Sequence, residues 1–166
     1  MMCRMRVGLL MVIVVPVNGA EWSADWAWGL PLVVGTVLFH VVSLGLIRQR
    51  SHRFSASSIR RRYPTAAFVV LIGTATLLAT SLHAIEAGIW AAAYRGLGAL
   101  PDFKSAMHYS LDAITSYGHA NLNLEEHWQL MGSIEALNGW LLFGLTTAFL
   151  FGMLDEVWRS DSSFRR

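Results

Sequence analysis

His83 and Glu86 stand three residues apart inside an apolar run that extends from Ala66 to about Tyr94. At that spacing two side chains share one face of a helix. An ionisable group inside such a run is costly unless it faces protein or water, so a functional role is the default hypothesis. The imidazolium of His83 could stabilise a charged Glu86, or two neutral groups could form a plain hydrogen bond between helices. The sequence leaves both readings open. Glu135 and Asn138 repeat the spacing in a later apolar run, from Met131 to about Leu154. An amide there could face a central cavity, or bond to the short helical segment that precedes this run or to a neighbouring subunit. His119, Glu125, Glu126 and His127 form a further polar group, but their spacing matches no metal motif and suits a solvated acidic face. No metal or other cofactor is assigned. Cys3, the one cysteine, excludes an intramolecular disulfide. No nucleophile elbow, nucleotide-binding loop or metalloprotease motif is present, so neither an enzyme nor a nucleic-acid partner is expected.

The elements that must position these residues are set by hydropathy. The chain has 166 residues, 54% apolar and 14% charged, against about 25% charged in a soluble domain. Three runs are long enough to cross a bilayer: Trp28–Ile47, Ala66 to about Tyr94, and Met131 to about Leu154. Pro31 falls near the start of the first, where a helix tolerates proline. Trp22, Trp26, Trp28, Trp90, Tyr94, Trp128 and Trp158 are expected as interfacial anchors. Residues 1–20, with Arg4 and Arg6 ahead of the apolar stretch Val7–Val17, read as a signal peptide cleaved near Gly19 or Ala20.

The loop between the first two runs carries Arg48, Arg50, Arg53, Arg60, Arg61 and Arg62 with no acid, and the tail carries Arg159, Arg165 and Arg166. The other side carries Glu21, Asp25, Asp102, Glu125 and Glu126 against Arg95 and Lys104. Positive-inside bias puts the arginine loop and the C-terminus in the cytoplasm and the N-terminus outside, in an inner (cytoplasmic) membrane. Arg60–Arg62 could also meet anionic lipid head groups.

Between the second and third runs, Asp102–Ile114 reads as a short helix, with Asp102 as N-cap and Phe103, Met107, Leu111 and Ile114 on one apolar face. It is too short to span, and either enters the membrane and returns or lies on its outer surface.

Residues 66–154 resemble the pore region of potassium channels, in particular the small bacterial ion channels of that superfamily. The match rests on Ser110–Asn121 (SLDAITSYGHAN), which lines up with the end of the family's pore helix and its Thr-Val-Gly-Tyr-Gly-Asp filter. Trp128 follows, then Leu130–Phe151 as an inner helix, with His83-Ala-Ile-Glu86 resembling the outer one. The resemblance implies four subunits around one pore, with filter carbonyls replacing an ion's hydration shell. Thr115, Ser116, Tyr117, Gly118, His119, Ala120 and Asn121 would form that filter loop.

The loop departs from the pattern. Ser116 keeps the hydroxyl of the family's threonine, and Gly118 is retained. Tyr117 replaces a small β-branched residue, so its ring must displace neighbours or find a cavity, and overpacking typically costs about 1–3 kcal/mol. His119 replaces a bracing tyrosine. Ala120 replaces a glycine whose backbone is costly for other residues, and Asn121 replaces the outer aspartate. Asp112 matches the acid that buttresses the filter in many family members. Poor selectivity, conduction only in a mixed tetramer, and lost conduction all fit these departures.

The resulting expectation is an all-α integral membrane protein: three transmembrane helices, a re-entrant pore helix and a filter loop, in a homotetramer within the lipid bilayer. The segments are 1–20, the signal peptide; 21–65, the first span and basic loop; 66–158, the pore domain; and 159–166, the tail. Passive passage of potassium or another monovalent cation is the expected function. The alternative is a non-conducting subunit, or one that works with hetero-subunits. Asn138 is the candidate cavity residue. Gly139 and Gly144 are candidate hinges or points of close helix packing. Thr146 and Thr147 are expected to bond their own helix backbone.

Overall fold

The computed structural model describes residues 19–55, 64–118 and 122–163. Among them every regular element is helical: α1 Gly19–Ser55, α2 Pro64–Gly96, α3 Phe103–Ile114, a 3-10 turn Glu126–Trp128, and α4 Gln129–Ser163. The three long helices are each long and apolar enough to cross a membrane. The described residues are thus all-helical in their regular structure, and the three apolar helices put the chain in the multi-pass membrane class. The expected signal segment, apart from its last two residues, and the arginines at 60–62 lie outside the described residues.

The long helices outrun the apolar stretches that announce them, because polar and basic flanks continue the same backbone hydrogen bonding. One consequence corrects the sequence reading: Pro31 lies inside α1 rather than near its start. Lacking an N–H, it leaves the Ala27 carbonyl without its usual donor one turn back.

Side-chain pairs fix how the helices run. Asn138 on α4 meets Thr36 on α1, Thr146 meets His40, and Glu156 lies near Arg48, so α1 and α4 are parallel. His40 meets Glu86, His83 meets Thr146, and Tyr94 meets Glu135, so α2 is antiparallel to both. One end of the bundle therefore gathers the start of α1, the end of α2, α3 and the start of α4. The other end gathers Arg48, Arg50 and Arg159.

A core of Trp90, Tyr94, Leu100, Tyr109, Trp128, Met131 and Ile134 fills the end that holds α3. The rings of Tyr94 and Tyr109 meet edge to face at 5.4 Å, an arrangement worth about 0.5–1.5 kcal/mol beyond area burial. Trp90, Tyr94 and Trp128 were expected as interfacial anchors, but all three are buried within the chain. Trp22, Trp26 and Trp28 do remain exposed. The outward faces of the long helices carry Val34, Leu38, Val42, Val69, Leu77, Leu137 and Phe143, a surface suited to lipid or to other subunits.

Candidate functional site

Helix α3 is placed by both its ends and by two glycines. At its N-terminus the Asp102 carboxylate accepts from the Ser105 N–H at 3.0 Å and from the Ser105 hydroxyl at 2.8 Å. These bonds hold Asp102 below the usual carboxylate range. The predicted N-cap and the 103–114 extent therefore agree with the structure.

The buried face does not agree with the prediction. Ala106, Tyr109, Ser110, Ala113 and Ile114 are buried, whereas Phe103 and Leu111 of the expected apolar stripe are exposed. The reason lies in the partner helix. A β-carbon at Gly139 would sit 2.0 Å from the Ile114 carbonyl oxygen, and one at Gly132 would sit 2.1 Å from the Tyr109 hydroxyl. The glycines of α4 leave room for the Tyr109 ring and for the backbone at Ile114, so the face of α3 that carries these residues turns inward. Gly139 thus serves close packing, while a β-carbon at Gly144 would meet open space.

At its C-terminus α3 closes with a Schellman arrangement. The Ser116 N–H bonds to the Ala113 carbonyl and the Tyr117 N–H to the Asp112 carbonyl, both at 2.9 Å. Ser116 takes the left-handed position of this cap, φ 54°, at a cost of about 1 kcal/mol relative to glycine. Its hydroxyl accepts from Trp140 Nε1 at 3.0 Å. The Thr115 hydroxyl caps the Leu111 carbonyl at 2.6 Å, and Gly118 has φ 96°. Tyr117 is 86% exposed, so its ring displaces nothing and fills no cavity within the single chain. His119, Ala120 and Asn121 lie outside the described residues.

Behind the tip, Glu135 joins three helices. Its carboxylate accepts from Tyr94 on α2 at 2.7 Å and from Ser110 on α3, and the Ser110 hydroxyl also lies 2.7 Å from the Ala87 carbonyl. Asn138 faces α1 rather than open space: it is fully buried, and its amide donates to the Thr36 hydroxyl at 2.8 Å. The cavity role expected of it finds no geometric counterpart within the chain.

The predicted His83–Glu86 pair is present, with Nδ1 3.3 Å from Oε2, and it belongs to a larger group. His40 on α1 contacts Glu86 Oε1 through Nδ1 at 2.8 Å. Thr146 on α4 lies 3.0 Å from Nε2 of both histidines. The ligand atoms of His40, His83 and Glu86 all lie within 4.8 Å of one another, the trio of described residues that could approach one ion together. Thr146 was expected to bond its own helix, as Thr147 does to the Phe143 carbonyl; it bridges two histidines instead. Sequence reasoning missed His40 and Thr36. A lone histidine inside an apolar span was the available signal, since the argument applied to His83 holds equally for His40.

No family model, curated protein or solved structure matches the chain.

Proposed function

We propose that this chain is a subunit of a tetrameric cation channel, with α3 as a re-entrant pore helix and the turn after it as the ion path. The observation that carries the reading is how far along α4 that turn sits. Ile114 lies against Gly139, ten residues into α4 and so about 15 Å along its axis at 1.5 Å per residue. That is about half the ~30 Å hydrocarbon thickness of a bilayer. The chain then returns, with the Glu125 N–H bonded to the Ala99 carbonyl at 3.4 Å. Backbone at such depth is tolerated only where it lines a cavity or is buried in protein, which favours a ring of subunits around the tip. The C-terminal end of a helix is also its negative pole, suited to a cation. Potassium is the proposed ion, from the resemblance of residues 110–121 to a potassium filter.

The rival reading is a non-conducting or heteromeric subunit that keeps this fold. It is favoured by Tyr117, whose exposed ring must be housed by neighbouring subunits beside any pore. Purified protein in liposomes, verified as a homotetramer by cross-linking, separates the two. Potassium flux above sodium flux supports a selective channel, and equal flux a degraded filter. No flux, or a stable monomer or dimer, overturns conduction by this chain alone.

A further inference from the structure

We propose that His40, His83 and Glu86 bind one divalent transition-metal ion, zinc by preference, which fastens α1 to α2. The Thr146 hydroxyl on α4 holds both imidazoles in the ligating tautomer. The proposal departs from the expected absence of a metal and does not rest on conduction.

Two rings and one carboxylate converge from two helices. His40 comes from α1, His83 and Glu86 from one face of α2, and their ligand atoms all lie within 4.8 Å of one another. The two rings are neighbours, with centroids 5.1 Å apart. Both turn Nδ1 toward Glu86, at 2.8 Å from Oε1 for His40 and 3.3 Å from Oε2 for His83. Both turn Nε2 toward the Thr146 hydroxyl, at 3.0 Å each.

Glu86 Oε2 is what points to an ion. It is buried without a hydrogen-bond partner, on a side chain that is 0% exposed, and a buried acceptor left so is costly. Three hydrogens, one from Thr146 and one from each neutral imidazole, satisfy the other three contacts. They leave Nδ1 of His83 and Oε2 of Glu86 bare and facing one another. Two ligands of a tetrahedral ion, each bonded at about 2.0–2.2 Å, stand roughly 3.3–3.5 Å apart. The separation of these two atoms, 3.3 Å, fits that edge. The His40 contact with Oε1 opens by about 0.5 Å to admit the same ion.

Thr146 supports the ligating state. When both rings carry their hydrogen on Nε2, its two lone pairs accept from both, and both Nδ1 atoms are free for the metal. A ligating histidine commonly donates its other N–H to an oxygen that fixes its tautomer. The hydroxyl hydrogen of Thr146 then turns to its own helix backbone, the bond that Thr147 makes.

The donor set selects the class of ion. Two imidazoles and a carboxylate with no thiolate suit zinc and its first-row neighbours, not copper(I), and they lack the oxygen cage that calcium or magnesium takes. Among the described residues the group stops at three, which leaves a fourth position for water or an anion. The ion and Glu86 together carry one positive charge, so hydroxide or chloride there makes the site neutral, as a spanning bundle favours. The His83 side chain, 27% exposed, gives the route of entry.

The test uses the full chain in detergent at pH 7.5, stripped with chelator and desalted, with cobalt chloride or zinc chloride as the only added metal. Cobalt(II) should bind one per chain with the visible bands of a four-coordinate site, and zinc should displace it. Zinc at a hundred times its dissociation constant should raise the folding equilibrium constant about a hundredfold in reversible unfolding by sodium dodecyl sulfate. His83→Gln should lose the cobalt bands, and Thr146→Val should bind about 10–100-fold more weakly. The double variant His108→Gln, His127→Gln removes two exposed imidazoles and should bind as wild type does. No binding by wild type, bands that persist in His83→Gln, or bands lost in the double variant overturn the proposal. Unchanged affinity in Thr146→Val overturns the role given to its hydroxyl. Should His83→Gln fail to fold, ¹⁵N shifts of the wild-type histidines in excess zinc decide. Two imidazoles ligated through Nδ1 and protonated at Nε2 support the site. Their absence, or a doubly protonated imidazole beside Glu86, overturns it.

Discussion

A single carboxylate at the head of α3 shows how residue chemistry sets a local boundary. Asp102 satisfies the Ser105 N–H, one of the donors a helix start leaves without an intrahelical partner. Its folded value is lowered, so the cap contributes above the unfolded value of about 3.9 and is lost as pH falls through the folded one. Two perturbations should therefore coincide. Asp102→Ala at neutral pH, and the wild type at a pH below its folded titration, should each speed amide exchange over 103–106 without changing exchange in α2. Unaltered exchange at both would mean that packing, not the cap, fixes where α3 begins. This cap was legible in the sequence because capping is a matter of two neighbouring residues. The distant partners of Glu86 and Glu135 were not, since His40 and Tyr94 lie 46 and 41 residues from them and only the folded helices bring them together.

At the scale of elements, the long helices could be read from apolar length, and α3 from its cap and its brevity. What could not be read was which way α3 faces. Hydrophobicity favoured Phe103 and Leu111, yet the room Gly132 leaves for the Tyr109 ring and the closeness of the backbones at Gly139 decided for Ala106, Tyr109 and Ala113. Periodicity ranks side chains by affinity for an apolar setting; it carries no information on how near a partner backbone comes. The two candidate hinge glycines give a direct test. In Gly139→Ala the added methyl meets the Ile114 carbonyl, a backbone atom that cannot step aside. That variant should lose about 1–3 kcal/mol or more, as overpacked sites do. In Gly144→Ala the methyl meets nothing, and the variant should gain up to about 1 kcal/mol from helix propensity. Detergent unfolding measures both. Equal effects would mean α3 does not seat against Gly139 as described.

The whole molecule places its charges unevenly, and that asymmetry bears on how it sits in a bilayer. Because α1 and α4 are parallel, Arg48 and Arg50 share one end with Arg159, while Asp102, Glu125 and Glu126 share the other with α3. The pairs at the arginine end contribute little to folding. Arg48 and Glu156 are 3.8 Å apart and both largely solvated, and an exposed pair is worth about 0–1 kcal/mol. Their consequence is for insertion, where basic flanks are retained on the cytoplasmic side. With Cys3→Ser as background, Asn123→Cys should react with a membrane-impermeant maleimide in intact spheroplasts. Gln49→Cys should react only after permeabilisation, since both positions are exposed but lie at opposite ends. The reverse pattern would invert the proposed orientation and put the turn after α3 on the cytoplasmic side. Labelling of both from one side would instead contradict the antiparallel course of α2, because an odd number of crossings must separate residue 49 from residue 123.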